Sequence, residues 1–319
     1  MNSIYNRSVF FEAKAEDLSE MRRWALLIVL ILLVNNWSSA ETVKFSWVKI
    51  RRHKDEHSRL LVDKDGDLKF DDVSRKLTFS SEAGDDVNIG YDDVTKVVFE
   101  RTSRMRGGAV AYLNLPGLIA AAQHVTDYWF YLEYKSGDHN EPVLFEIPKG
   151  SSEKVIAKAR DLFGARIIMP DFEEKSEEVD PNTLPDLKSK HTFVADKEHH
   201  PLPEVKVDKA TVVVVCPALE TRYTARGNQF KLHANDNVIA VNRAGTYSFA
   251  YLDPGKYKLV SQSENANGFE MQLEAGKEYY FLQNTFQGAL KWDTGLSRNS
   301  PELVMYELNG AYYSRWKRK

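Results

Sequence analysis

The stretch Thr246-Tyr247-Ser248-Phe249-Ala250-Tyr251-Leu252-Asp253-Pro254-Gly255-Lys256-Tyr257-Lys258-Leu259 decides the fold class. Tyr247, Phe249 and Tyr251 alternate with smaller residues, and Tyr257 and Leu259 resume the alternation after the turn. A period of two puts every second side chain on the same face of a strand, whereas a helix needs a period near 3.6. Between the two runs, Pro254 fixes one φ and Gly255 accepts the positive φ of a type II turn. The stretch therefore reads as two strands joined by a tight turn.

The same pattern continues on both sides. Thr211–Cys216 is an unbroken apolar run that suits a buried strand. Val238–Val241 follows the turn residues Asn235-Asp236-Asn237. Phe269, Met271 and Leu273 alternate, Ala275-Gly276-Lys277 turns the chain into Tyr279–Phe286, and Leu303–Leu308 is expected as the closing strand. Closely spaced short strands predict an antiparallel β-sandwich domain over residues 210–310. Arg315, Trp316, Lys317, Arg318 and Lys319 are expected as a solvated basic tail, residues 311–319.

The first half has its own β pattern. Leu68 and Phe70, Leu77 and Phe79, and Val87 and Ile89 alternate; Val94–Phe99 is a further strand. Tyr128–Tyr134 and Val143–Ile147 face each other across Ser136-Gly137-Asp138. Ser151-Ser152-Glu153 then opens a helix in which Val155, Ala159 and Leu162 recur on one face, with Gly164 as its stop. Residues 41–170 thus read as a mainly β domain with one capping helix. Residues 171–209 carry Glu173, Glu174, Glu177, Glu178 and Asp180, with Pro181, Pro185, Pro201 and Pro203. Without apolar periodicity, this stretch predicts an acidic, extended linker.

The chain has 319 residues, enough for two cores, and 43% hydrophobic residues, too many for wholesale disorder. A formal net charge of -3 gives no footprint for nucleic acid. The single cysteine, Cys216, excludes an intramolecular disulfide and ends a buried run, as a small apolar residue would. Met21-Arg22-Arg23, the apolar Trp24–Val34 and the small residues Ser38-Ser39-Ala40 have the order of a cleaved export signal. Eleven apolar residues make a helix of only ~16 Å, against a hydrocarbon core of about 30 Å. Residues 1–40 are therefore expected as a signal region, with Met21 as the start. The expected location is periplasmic or extracellular, the alternative being an uncleaved amino-terminal anchor.

Two resemblances follow from these residues. The string Asn235-Asp236, Ala244-Gly245-Thr246-Tyr247, Asp253-Pro254-Gly255-Lys256-Tyr257 and Leu273-Glu274-Ala275-Gly276-Lys277-Glu278-Tyr279-Tyr280 resembles the bacterial domain-of-unknown-function 2846 family of exported β-domains. That family implies fold and export but no activity, and its members are often lipoproteins; this chain has no cysteine at the cleavage point. Gly66-Asp67-Leu68-Lys69-Phe70, Leu77-Thr78-Phe79 and Ile89–Val97, with the helix after Pro148, are similar to bacterial PH-like domains. The resemblance implies a bent seven-stranded barrel plugged by the helix. The phosphoinositide ligand of eukaryotic relatives does not carry over, because no matching basic loop is present.

Candidate chemistry is sparse. Asp63-Lys64-Asp65-Gly66-Asp67 starts like a calcium loop, but Leu68 and Ser74 occupy the positions that need Gly and Glu, so a hairpin turn is expected. His191, His199 and His200 lie in the linker and are expected to be solvated. The nucleophile-elbow, zinc-protease and P-loop motifs are absent. No catalytic, cofactor or metal residue is expected. The most unusual stretch is the uncharged Gly107–Ala122, preceded by Arg101, Arg104 and Arg106. It either folds back on its own domain or meets a membrane or partner through Arg104, Arg106, Tyr112, Leu113, Leu115, Leu118 and Ile119. The sequence thus predicts a non-enzymatic exported envelope or secreted protein with two binding or scaffolding β-domains, whose partner is an unknown protein or envelope component. The alternative is a peripheral membrane protein that engages lipid through residues 107–122; an uncharacterised hydrolase stands last.

Overall fold

The computed structural model describes residues 41–53, 61–82, 84, 86–106, 123–172, 174, 176–184, 191–217, 228–287 and 292–318. The signal region and the apolar stretch 107–122 lie outside the described residues. The fold is mainly β, built from three sheets and two α-helices among the described residues.

The first unit is an eight-stranded sheet. It comprises β1 (Thr42–His53), β2 (Leu61–Asp71), β3 (Lys76–Ser81), β4 (Val87–Gly90), β5 (Val94–Arg106), β6 (Gln123–Ser136), β7 (His139–Ile147) and β8 (Ile167–Ile168), with α1 (Lys149–Phe163) before β8. The order is β4-β3-β2-β1-β7-β6-β5-β8, so the meander leaves β4 and β8 as edges and does not close into a barrel. Its concave face buries Ile50, Leu68, Phe70, Leu77, Phe79, Phe130 and Phe145. Val155, Ala159 and Phe163 of α1, spaced four apart on one helical face, pack onto them. Gly164, at φ +50°, ends the helix where the sequence predicts.

The second unit stacks two sheets. One has the order β10-β19-β14-β11-β17-β18, from β10 (His191–Asp196), β11 (Ala210–Cys216), β14 (Thr246–Leu252), β17 (Glu278–Gln287), β18 (Trp292–Arg298) and β19 (Tyr312–Arg318). The other has the order β13-β12-β15-β16-β9, from β9 (Glu177–Val179), β12 (Phe230–Ala234), β13 (Asn237–Asn242), β15 (Gly255–Gln262) and β16 (Ala266–Leu273). The predicted turns at Asn235, Asp253–Pro254 and Gly276 join β12–β13, β14–β15 and β16–β17, but Gly255 already begins β15 without a positive φ, so the middle turn is not the expected type II. Val212 and Val214 of β11 point between the sheets, whereas Val213 and Val215 point to the other side. The valine run is continuous because both faces are buried.

What covers that other side is the first unit. Val98, Tyr131 and Leu144, on the convex face of β5–β7, share one cluster with Val213, Val215, Tyr247, Leu282, Leu303, Val304, Tyr306 and Leu308. The last four-residue group comes from a second helix, α2 (Pro301–Asn309), wedged between the units.

Several expectations need correction. Leu303–Leu308 is helical rather than a strand: Ser300 caps it by accepting from the Leu303 amide, and Pro301 occupies the first turn. The sandwich is mixed, since β11 pairs parallel with β17 and β14 with β19. The acidic linker is tied down: β9 extends one sheet, Val179 and Leu184 pack on Val260 and Ala266, and β10 pairs with β19 over its whole length. An edge strand needs a partner's backbone more than an apolar period of its own. The same pairing converts the basic tail into a strand. Asp63–Asp67 lies inside β2 rather than in a hairpin turn.

Candidate interdomain cleft and its buried ionic joint

The concave face of β5 runs past the end of the core. Phe99 is still buried among core residues, but Arg101, next on the same face, is exposed. There the sheet, α1, residues 169–172, 174 and 176 of the crossing segment and β18 enclose a cleft of about 1010 Å³. Its walls mix Phe99, Tyr128, Ile156, Phe172 and Leu296 with Arg101, Arg160 and Arg298. A cleft between two units, partly apolar and with a few convergent polar groups, is the usual form of a small-molecule site.

The three arginines differ in how well they are satisfied. Arg298 donates to Glu174 at 2.5 Å, and its guanidinium lies 4.9 Å from the Phe172 ring and 5.4 Å from the Tyr279 ring. It is a finished structural contact, although Glu174 Oε2 is buried without a hydrogen-bond partner among the described residues. Arg160 donates to Met169 Sδ at 2.8 Å, a weak acceptor for a cation. Arg101 has neither an ion pair nor a hydrogen bond among the described residues, so two guanidinium groups in the cleft lack an anionic partner there. The acids Glu153 and Asp171 also face the cleft and are exposed.

Between the same two units, buried charge forms a second joint. Arg51 of β1 donates from Nε and Nη2 to the two carboxylate oxygens of Glu307 in α2, at 3.0 and 3.1 Å, and from Nη1 to Asp63. Burial pushes the Glu307 carboxyl up, and Arg51 opposes that. At the other end of α2, Glu100 accepts from the Ser300 amide and hydroxyl and from Asn299 Nδ2. Burial raises the Glu100 carboxyl, against those hydrogen bonds. Lys96 reaches Glu302 at 3.1 Å at the rim.

Of the sequence-predicted contact residues, Arg104 and Arg106 end β5, opposite Val125 and Gln123 of β6. Tyr112, Leu113, Leu115, Leu118 and Ile119 lie outside the described residues. Cys216 is buried, and burial pushes its thiol well above the usual range. The linker histidines are corrected in part: the His191 ring packs against Trp316 and is buried, the His200 ring packs against Tyr247, and His199 Nδ1 lies 3.1 Å from Asp196. Among the described residues, no three His, Cys, Asp or Glu side chains are grouped to hold a metal ion. Sequence reasoning missed Arg160 and Arg298, because the cleft is assembled from four separated segments. No protein-family model matches the sequence, and neither does any curated protein.

Proposed function

We propose that the chain is a non-enzymatic exported protein of the cell envelope, or a secreted one, in which two β units form a single binding body. On this reading the first unit is PH-like. Seven antiparallel strands followed by a helix packed on their concave face support that relation. The second unit is a sandwich related to domain-of-unknown-function 2846, for which the turn and strand residues named above are the support. The cleft shared by the two units receives the ligand, and its Arg101 and Arg160, which have no anionic partner among the described residues, suit an amphiphilic anion beside an aromatic and aliphatic wall. A carboxylate or phosphate gains charge-assisted hydrogen bonds from guanidinium, while an apolar body gains from leaving water. The observation that carries this reading is the pair of guanidinium groups that have no anionic partner among the described residues, inside a cleft that both units wall.

A dansyl-labelled fatty acid serves as the probe. Wild-type chain enhances its fluorescence on binding, and Arg101→Glu with Arg160→Glu weakens binding tenfold or more, by about 1.4 kcal/mol, while the melting temperature stays the same. Equal binding by wild type and the double variant refutes the cleft as the site. The alternative, a peripheral membrane protein engaging lipid through 107–122, keeps the same location and replaces the soluble ligand with a bilayer.

A further inference from the structure

Trp47 stands apart from the rest of the first unit. It lies in a bulge of β1, where the register with β2 shifts between Phe45 and Val48. Its φ is +62°, a left-handed conformation that L side chains other than Asn and Asp rarely take. Its side chain is 78% exposed. Glycine would meet the backbone requirement without strain, and a polar residue would meet the solvent. A bulge that re-aims a bulky aromatic outward, at a cost in backbone strain and with no packing in return, marks a contact surface.

The topology indicates what lies beyond it. β1 and β6 each run antiparallel to β7, so they begin at the same end of the sheet, and β5, antiparallel to β6, finishes there. Two long uncharged apolar runs of the chain join the sheet at this end. Trp24–Val34 precedes β1, and Gly107–Ala122 connects β5 to β6. Residues 35–41 separate the first run from β1, and seven residues reach at most about 25 Å at ~3.6 Å each. While the Trp24–Val34 run sits in a bilayer, the start of β1 is held close to the lipid surface. Charge does not explain the site, because neighbouring Lys44 is paired with Asp67 at 2.7 Å. The remaining chemistry is that of an indole, whose apolar ring and polar N–H suit the boundary between headgroups and acyl chains.

We infer that Trp47 is an interfacial anchor, and that the end of the first sheet where β1 begins rests on a lipid surface with the indole at headgroup level. The inference is independent of the cleft and rests on the anchored alternative for the amino terminus. Full-length chain is reconstituted in phosphatidylcholine vesicles with or without brominated acyl chains, and the emission of Trp47→Phe is subtracted from that of wild type. The difference spectrum isolates Trp47. It is expected at short wavelength and to lose most of its intensity in brominated lipid, with the same loss when phosphatidylglycerol is added or salt is raised. Difference emission that iodide in the buffer quenches and brominated lipid does not overturns the inference. Emission quenched by neither overturns it as well, because protein then covers the indole. A chain that does not float with the vesicles refutes the anchored location and the inference together, whereas a floating chain with unquenched Trp47 refutes the inference alone.

Discussion

The guanidinium of Arg51, in the first strand, grips both carboxylate oxygens of Glu307, in the last helix, across 256 positions of sequence. The hydroxyl of Tyr306 donates to the Arg51 carbonyl at 2.8 Å, so side chain and backbone of one residue are both committed to α2. Isolating a buried carboxylate is costly, whereas removing the whole pair is not. Arg51→Met is expected to destabilise the protein by about 3–5 kcal/mol, and adding Glu307→Leu should return most of that loss. Urea denaturation of wild type, both single variants and the double variant checks the cycle. Additive losses contradict the joint.

Glu100 gives a pH-dependent counterpart. Burial raises its pKa above the ordinary 4.5, so the native state takes up the proton at a higher pH than the unfolded chain. Its contribution to stability is then greatest below the unfolded value and declines as pH rises through the native one. Glu100→Gln removes this titration. The stability difference between variant and wild type should move in the variant's favour as pH is raised from below 4.5 toward neutrality. Chemical denaturation at a series of pH values measures that slope, and a flat difference removes Glu100 as its source.

How much of this was legible in the sequence depends on the range of the interactions. Strands β11 and β13 to β17 were readable because alternation and turn chemistry act within a few residues, whereas β12 (Phe230–Ala234) was not picked out. Helix α1 was readable from Val155, Ala159 and its stop at Gly164. Helix α2 was misread as a strand because its residues are apolar on several sides, being wedged between the units; Ser300-Pro301 was the signal to heed. Segments β9 and β10 were missed because their stability comes from partners far along the chain, Asn267 and Trp316 among them. The cleft was illegible for the same reason: Arg101 and Arg160 meet through the fold of the first unit, and Arg298 joins them from the second.

That docking predicts cooperativity. A shared apolar cluster and two buried polar contacts to α2 leave neither unit with a complete surface of its own. Calorimetry of the protein should give one transition whose calorimetric and van't Hoff enthalpies agree. Two resolved transitions contradict a single body and favour the linker reading of residues 171–209.

Trp47→Gly separates strain from packing. The left-handed region costs an L residue about 1–2 kcal/mol, and glycine returns part of that gain as unfolded-state entropy. Since the indole is exposed, little burial is lost. A net stabilisation of roughly 0.5–1 kcal/mol is expected in denaturant melts. Destabilisation of that size would mean that the indole packs on the fold, and would remove the case for Trp47 as a contact residue.

Gly268 tests the wall of the cleft from behind. It pairs with Val260 in β15 and with Glu177 in β9. A Cβ placed there would lie 1.9 Å from the Leu259 carbonyl oxygen and 2.8 Å from the Val260 Cα, and backbone atoms in a ladder cannot step aside as a side chain can. Gly268→Ala must therefore prise β15 from β16. The neighbouring Asn267 accepts from the Leu296 amide at 2.9 Å and from Ser176 Oγ at 3.0 Å, so movement of β16 carries two of the cleft's lining residues with it. The variant should lose about 3 kcal/mol or more, and probe binding should fall together with stability. Gly150→Ala, in α1 with nothing within 4 Å of the added carbon, is the control. It should be neutral, or stabilising by up to about 1 kcal/mol through helix propensity. If Gly268→Ala melts like the control, the close approach of β15 and β16 is not a constraint on the fold.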